Sequence, residues 1–211
     1  MRYLIIDTAN EKLTVAIVAA NKILAVKSYF AARAHSHYIL KELADLFNET
    51  GLEPKEIDEL MVVNGPGSWT GMRIGVTVGR VYGWALNKKI IPVSSLHAAA
   101  LAYSNYDYYA VCLDARRDYV YGAIYNHEYQ IVKKESYLLL KSFSKEINKL
   151  QGEVLIISDL KLGKESKPFK LDLETLVKYY QKQEGITSDK LLPKYLKEME
   201  ISRNDSLYQT K

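Results

Sequence analysis

The sequence predicts an α/β protein with two similar lobes, of which the second is truncated. Two observations support this class: three strand-like segments open each half of the chain, and strands then alternate with helices. At 211 residues and 48% hydrophobic content, the chain can bury one large core or two small ones. The predicted boundary at 106–108 separates a first lobe, 1–105, from a shortened second lobe, 106–211. The C-terminal segment is a candidate to pack back on the first lobe.

The first lobe is predicted to begin with strands over 2–8, 12–20 and 22–30, which are rich in Val, Ile, Leu and Tyr. Ser36 is then expected to cap a helix that ends at Gly51. The apolar positions of this helix recur every three or four residues: Ile39, Leu40, Leu43, Ala44, Leu46 and Phe47. Strands over 60–64 and 90–93 and helices over 70–86 and 95–103 complete this lobe.

The second lobe is predicted to repeat this order in a shorter form. Strands are expected over 109–114, 119–126 and 129–140, with a hairpin turn at 126–128. A helix over 142–150, a strand over 154–158 and a helix over 173–184 follow. Because the second half repeats the order of strands and helices of the first half, the sequence predicts a duplicated architecture.

Charge and cysteine content narrow the class of protein. Residues 1–100 hold 11 Lys/Arg and 9 Asp/Glu and the remainder hold 18 and 16, so each half nets +2 and no basic block marks a nucleic-acid-binding face. The single cysteine, Cys112, excludes an internal disulfide, and no apolar run is long enough to span a bilayer. We therefore expect a cytoplasmic protein without a membrane contact.

A glycine-rich segment at 64–75 is the most distinctive motif. It contains Gly65, Pro66, Gly67, Ser68, Thr70, Gly71 and Arg73. A glycine-rich turn before a helix can hold phosphate through free N–H groups, but this spacing fits neither the Walker A loop nor the dinucleotide fingerprint. We favour a strand-to-helix turn that needs glycine for its backbone conformation, with phosphate binding as the alternative.

Four glycines lie four residues apart in the following helix and therefore share one of its faces: Gly71, Gly75, Gly79 and Gly83. Each glycine lowers helix propensity by roughly 1 kcal/mol relative to alanine, so four in register need a packing reason. Two reasons remain open, which are close packing within the chain and contact with another subunit.

Acidic residues end the first predicted strand of each half. Asp7 and Thr8 end one, and Asp114 and Arg116 end the other. Carboxylates at equivalent strand ends of two lobes suit a Mg²⁺ and nucleotide-phosphate site, whereas capping of turns is the simpler alternative. The four histidines have no metal-binding spacing, so no metal site is predicted.

Several of these segments resemble the TsaB family, also called YeaZ. They are LIIDTA at 4–9, NGPGSWTGMRIG at 64–75, PVSSL at 92–96, DAR at 114–116 and PKY at 193–195. The second is the most specific, because it is close to the family signature G-P-G-S-[FW]-T-G-x-R-I-G. The chain departs from the family after DAR-x, where Asp118 and Tyr119 stand in place of Gly-Glu.

The resemblance implies the actin-like ATPase (ASKHA) fold, with two lobes of βββαβαβα type. It also implies that the two strand ends named above occupy the phosphate-loop positions of a degenerate nucleotide cleft. Beside the metal-binding histidine pair of the related enzyme TsaD, segment 92–99 has Ser95 and Ala99 at the ligand positions. We therefore expect no bound metal, no catalysis by this chain and at most weak binding of ATP or ADP.

By the same resemblance, the chain is expected to be a non-catalytic partner subunit of the machinery that forms N6-threonylcarbamoyladenosine (t6A) at tRNA position 37. Its expected partners are TsaD in a heterodimer, TsaE, and a second copy of itself when alone. The expected interface residues are Ile39, Leu43, Phe47, Gly75, Gly79 and Gly83. An active ATPase or phosphotransferase and, less favoured, a metallopeptidase are the alternatives, and direct contact with tRNA is left open.

Overall fold

The structure is a computed structural model that describes residues 1–31, 34–160 and 166–197. The strands are β1 (Arg2–Asp7), β2 (Lys12–Ala19), β3 (Lys22–Phe30), β4 (Glu59–Gly65), β5 (Lys89–Ser94), β6 (Tyr108–Asp114), β7 (Tyr119–Asn126), β8 (Ile131–Leu139) and β9 (Val154–Ile157). The helices are α1 (His35–Thr50), α2 (Trp69–Ala85), α3 (Ser95–Ala100), α4 (Leu140–Ile147) and α5 (Leu173–Tyr180). None of the helices in the described ranges combines the length and the apolar character that crossing a bilayer requires.

The first sheet has the strand order β3-β2-β1-β4-β5. Strands β1 to β3 are antiparallel neighbours, whereas β1, β4 and β5 run parallel. Because side chains alternate along a strand, Leu4 and Ile6 pack against α1 and α2, while Tyr3 and Ile5 pack on the opposite face with α5. The carboxyl ends of β1, β4 and β5 meet at one rim, which is where ligands bind in open α/β sheets.

The second sheet repeats this arrangement with one strand fewer, in the order β8-β7-β6-β9. Strand β6 takes the place of β1, since it pairs antiparallel with β7 and parallel with β9. Helix α4 covers one face through Phe143, and α3 covers the other face through Leu96. The α/β class with two sheets is confirmed, and within the described residues the second sheet is the smaller one.

The start of α1 and the orientation of one of its leucines differ from the prediction. Ser36 is not the cap: α1 begins at His35, and Ala34 takes the N-cap position without a side-chain hydrogen bond. Leu40 is 67% exposed although it was predicted on the apolar face. It lies on the side of α1 turned away from the sheet, because Ile39 and Leu43 occupy the side that faces the sheet.

Two later elements are shorter than predicted. Helix α5 stops at Tyr180 rather than at 184, because the chain turns to pair Ile186 with Ile90 on the edge of β5. Strand β8 starts at Ile131 rather than at 129, because Tyr129 has a φ of 60° and belongs to the preceding turn. From Ile186 onward the chain therefore runs back along the first sheet.

The glycine face of α2 packs on the chain's own first sheet. A Cβ atom added at these positions would lie 2.5 Å from Thr8 Oγ1 at Gly75, 2.7 Å from Val62 Cγ2 at Gly79 and 2.8 Å from Ile90 Cδ1 at Gly83. Side chains cannot be accommodated at such distances, so the glycines allow α2 to approach β1, β4 and β5 closely. Of the two packing reasons left open by the sequence, the structure shows the internal one.

The predicted interface is therefore wrong at five of its six residues. Gly75, Gly79 and Gly83 are covered by the sheet and cannot also meet a partner. Ile39 and Leu43 are 2% and 7% exposed, because they belong to the core beneath α1. Among the six, Phe47 stays partly exposed.

Replacing Gly75 or Gly79 by leucine should destabilise the chain by about 3 kcal/mol or more, because the new side chain overpacks the interface between α2 and the sheet. Urea unfolding followed by circular dichroism measures the free energy of unfolding. Thr77→Leu, at an exposed position of the same helix, is the matched control and should change stability by no more than about 0.5 kcal/mol. Glycine variants as stable as this control would contradict the internal packing.

Candidate functional site

The carboxyl end of β1 carries a buried acid. Asp7 is 4% exposed, and its Oδ1 accepts a hydrogen bond of 2.8 Å from the Ala9 N–H. Burial raises the pKa of this carboxyl to about 7, although the bond from Ala9 acts in the opposite direction. Thr8 beside it donates its hydroxyl to Gly71 O at 2.7 Å. The Asp7 carboxyl therefore keeps its proton to a much higher pH than an exposed aspartate does, and it does not resemble a Mg²⁺ ligand facing solvent.

The glycine-rich loop between β4 and α2 lies directly on this strand end. Ser68 N–H donates to Ala9 O at 2.7 Å, and a Cβ atom at Gly67 would overlap the same carbonyl group. The Ser68 side chain caps α2 by accepting from Gly71 N–H at 3.2 Å. The loop is therefore a strand-to-helix turn in which the N–H groups of Ser68 and Gly71 already have partners within the chain.

The second strand end lies on the β6–β7 hairpin. Asp114 is exposed and its Oδ1 accepts from Arg116 N–H at 2.7 Å, so the carboxylate caps the turn. A cavity of about 400 Å³ opens beside it. Its lining comes from the second sheet and the segments next to that sheet: Asp114, Arg116, Arg117, Asp118, Tyr119, Val120, Leu140 and Leu160. Asp7 does not line this cavity, so the two predicted strand ends do not share it.

The positions predicted to replace metal-binding histidines lie in α3. Ser95 and Ala99 are fully buried, and Ser95 donates its hydroxyl to Pro66 O in the glycine-rich loop. Over 1–31, 34–160 and 166–197, no group of three or more His, Cys, Asp or Glu side chains is arranged to hold a metal ion. The absence of a bound metal stays a prediction.

Residues 191–197, here called the C-terminal strap, cross from the first sheet to the second. Leu191 is buried in the core beneath α2, and Lys194 N–H donates to Asn64 O at 2.8 Å. Tyr195 then stacks on Trp69, with ring centroids 4.4 Å apart, and accepts a hydrogen bond of 2.7 Å from Arg73 Nε. The strap thus runs along the rim where the parallel strands end, which is the rim at which this class of sheet binds ligands.

The strap reaches the second sheet through an ion pair that sequence reasoning missed. Lys194 Nζ lies 2.7 Å from Glu135 Oε2, and the Glu135 side chain is only 9% exposed. Ser94 donates its hydroxyl to the other carboxylate oxygen, which Tyr125 OH also approaches at 3.3 Å. No sequence signal marks Glu135, because it is one polar residue among several in β8. The buried carboxylate of Glu135 thus has a cationic partner on the strap, which connects the strap to the second sheet.

A buried histidine makes a further connection between the lobes. His97 Nδ1 lies 2.9 Å from Tyr180 OH, and Nε2 lies 3.1 Å from Tyr129 O. Burial lowers the pKa of His97, so the neutral form fits this pair of contacts. Its neighbours come from α5 and from the turn after β7, and it therefore serves to join the lobes.

The outer surfaces of α1 and α2 carry exposed apolar side chains. Leu40 is 67% exposed, Val81 58% and Trp84 78%. Phe47 of α1 stacks on Tyr82 of α2 at 6.3 Å, so the two helices lie side by side. Exposed apolar surface of this kind on adjacent helices is typical of a protein-binding face. The sequence signal that could have found it is the apolar character of residues outside the glycine face of α2.

Comparison with known proteins identifies the family to which this sequence is similar. The family model described as TsaD, tRNA N6-adenosine threonylcarbamoyltransferase, matches residues 14–163. The TsaB protein of Bacillus subtilis, named a tRNA threonylcarbamoyladenosine biosynthesis protein, is 33% identical over 129 residues, which are 61% of this chain and 56% of the relative. The TsaB protein of Escherichia coli is 31% identical over 133 residues, with the same two shares. The chain thus spans about half the length of these curated relatives.

Solved structures agree with the fold. A crystal structure of an uncharacterized protein with similarity to the peptidase YeaZ, from Pseudomonas aeruginosa, has a TM-score of 0.75 at 22% identity and covers 93% of this chain and 99% of that chain. YeaZ from Pseudomonas aeruginosa has a TM-score of 0.71 at 22% identity, with shares of 92% and 99%. At this identity the likeness shows the fold alone. The family model spans well over half of the chain and the named relatives are TsaB proteins, so the chain belongs to the tRNA N6-adenosine threonylcarbamoyltransferase (TsaD) family, as one of its TsaB (YeaZ) members.

Proposed function

We propose that this chain is the non-catalytic partner subunit of the cytoplasmic machinery that forms t6A at tRNA position 37, and that it binds and supports TsaD. The observation that carries the proposal is the exposed apolar surface of α1 and α2, to which Leu40, Val81 and Trp84 contribute. The names of the TsaB relatives, which are biosynthesis proteins for this modification, support the same role.

The spacing of residues along both helices gives this face its shape. Leu40, Ala44 and Phe47 follow one another at intervals of four and three, so they lie on one side of α1. Val78 and Val81 line the side of α2 that adjoins Tyr82, and Tyr82 stacks on Phe47. Two parallel rows of apolar side chains suit a partner that offers two helices in return, as in a four-helix bundle.

The cleft argues against catalysis by this chain. Asp7 lies beneath the glycine-rich loop with a pKa of about 7, and the strap runs along the rim where substrate would enter. The residues present therefore do not fit a Mg²⁺-nucleotide, and an active ATPase or phosphotransferase is the weaker proposal.

We extend the proposal to TsaE as a further member of the complex. A second copy of this chain is the occupant of the same face when TsaD is absent.

Trp84→Ala should weaken binding to TsaD from the same organism by about 30-fold or more, which corresponds to about 2 kcal/mol for an anchoring aromatic residue. Isothermal titration calorimetry with the purified pair measures this change. The variant should keep its free energy of unfolding within about 0.5 kcal/mol, because the side chain is 78% exposed.

Ile131→Ala is the matched control for Trp84→Ala. Ile131 is 61% exposed, but it lies on β8 of the second sheet and away from α1 and α2. We expect this variant to bind TsaD as the unchanged chain does. Equal weakening by both variants, or by neither, would place the partner surface elsewhere.

Asp7→Asn should remove a pH dependence of stability. The folded chain keeps the Asp7 proton up to about pH 7, whereas the unfolded chain releases it near the ordinary value of 3.8. The folded state therefore binds more protons between these values, and stability falls as the pH rises through this window by at most about 1.4 kcal/mol per unit. Urea unfolding between pH 4 and pH 8 should show this fall in the unchanged chain and not in Asp7→Asn. The exposed Asp118→Asn serves as control, and a fall retained in Asp7→Asn would refute the buried protonated carboxyl.

Calorimetry with ATP and Mg²⁺ should show no binding at micromolar concentrations to the isolated chain. The physical reason is that the loop N–H groups at Ser68 and Gly71 already have partners within the chain. A dissociation constant near 1 μM, about −8 kcal/mol, that is lost in Asp114→Ala would contradict this and favour the ATPase alternative.

A further inference from the structure

The β6–β7 hairpin has an unusual backbone for its residue types. Arg116, Arg117 and Asp118 have φ angles of 67°, 54° and 62°, which form a run of three left-handed residues without a glycine. Such a run is costly for residues with a Cβ atom and persists only where neighbouring contacts enforce it. Here Ala115 N–H donates to Tyr119 O at 2.9 Å, and Tyr119 N–H donates to Arg116 O at 3.1 Å.

Further contacts connect this hairpin to the strap. Tyr119 stacks on Tyr137 with ring centroids 4.6 Å apart, and Lys197 Nζ lies 5.5 Å from the centroid of the Tyr137 ring. Two residues before Lys197, Tyr195 accepts the hydrogen bond from Arg73. Through these contacts the fold connects four cations from three distant parts of the sequence. We call this set the basic band: Arg73, Arg116, Arg117 and Lys197.

The members of the basic band are available to an external anion. All four residues are exposed, and no ion pair involves any of them among the residues that the structure describes. The acids next to the band are Asp114, whose carboxylate caps the Arg116 N–H, and Asp118. Glu135 is neutralised by Lys194. Among the residues that the structure describes, these four cations face two carboxylates, which leaves the band with an excess of positive charge.

We propose that the basic band binds the phosphate backbone of RNA, and that within the proposed function this RNA is the tRNA being modified. Arginine matches phosphate oxygens with two parallel N–H donors, and Lys197 adds a further cation to the same contacts. The cavity of about 400 Å³ beside Arg116 and Arg117 offers room for a backbone segment at the hairpin. The inference rests on the proposed function for the identity of the RNA, but not for the chemistry of binding.

The test uses fluorescence anisotropy with an unmodified tRNA transcript that carries adenosine 37, at several salt concentrations. Arg116→Gln/Arg117→Gln should lower the slope of log K against log salt by about 0.7 for each lost contact to a single-stranded phosphate. Near 0.1 M salt the double variant should bind roughly 10–30-fold more weakly, as the same slope requires. Lys197→Gln lies outside the strained hairpin and should lower the slope by one such step, so the test survives if the double variant does not fold.

The control variant is Lys22→Gln/Lys182→Gln, which removes the same charge elsewhere. Lys22 pairs with Ala19 at the end of the first sheet where β1 begins, and Lys182 precedes the segment that pairs with the start of β5. Both lysines are exposed, and this rim is opposite to the basic band. The control should bind tRNA within about twofold of the unchanged chain, because it removes no phosphate contact.

Measurements on the isolated chain and on the pair with TsaD distinguish this inference from the proposed function. Size-exclusion chromatography reports whether the pair forms, independently of RNA. If the pair forms but the band variants bind tRNA with the unchanged slope, the basic band is not an RNA-binding surface. If the pair does not form but the band variants still bind tRNA more weakly than the unchanged chain, the proposed function is wrong and the basic band remains an RNA-binding surface.

Discussion

The contact on which the rest of this structure depends is the close approach of the glycine-rich loop and α2 to the end of β1. The carbonyl groups of Thr8 and Ala9 lie so near to Gly71 and Gly67 that a Cβ atom at either glycine would overlap them. The same approach continues along α2, where successive glycines admit side chains from β1, β4 and β5. Because one face of α2 is consumed by this packing, the helix can offer apolar side chains to a partner only on its outer face.

The contacts of the strap explain why the glycine-rich motif and the PKY motif belong together. The glycine-rich motif contributes Trp69 and Arg73, and the PKY motif contributes Tyr195, which contacts both. Lys194 then carries the connection to Glu135 on the second sheet. In this arrangement, the rim where an actin-like protein would admit nucleotide holds a segment of the chain itself. Beneath this segment lies the buried carboxyl of Asp7, whose pKa burial raises to about 7.

The scaffold separates two surfaces that the proposed function uses differently. The face on α1 and α2 is apolar and carries Leu40, Val81 and Trp84, which suits association with a protein through the release of water. The basic band lies on the hairpin and the strap and carries charge, which suits a polyanion. The family assignment concerns the whole fold, whereas each surface depends on a few exposed side chains that can be changed without disturbing the core.

Periodicity and motif content by themselves determined the α/β class and most strand positions, because alternation and helical spacing are local properties of the chain. They also identified the glycine-rich turn, since its residue types restrict the local backbone. The sequence left open whether the glycine face of α2 packs within the chain or against another subunit. The expectation of a subunit contact at Gly75 and Gly79 was wrong.

Tertiary structure decided the rest, because it depends on which residues meet across long separations. No sequence pattern near Glu135 predicts its ion pair with Lys194. The evenly spread charge of the sequence likewise does not predict that contacts connect Arg73 and Lys197 to the β6–β7 hairpin. Likewise, the exposure of Leu40 follows from the direction in which α1 docks on the sheet, and its apolar character alone does not reveal that direction. Local pattern therefore determined the elements, and packing between distant elements determined which of their side chains are free to act.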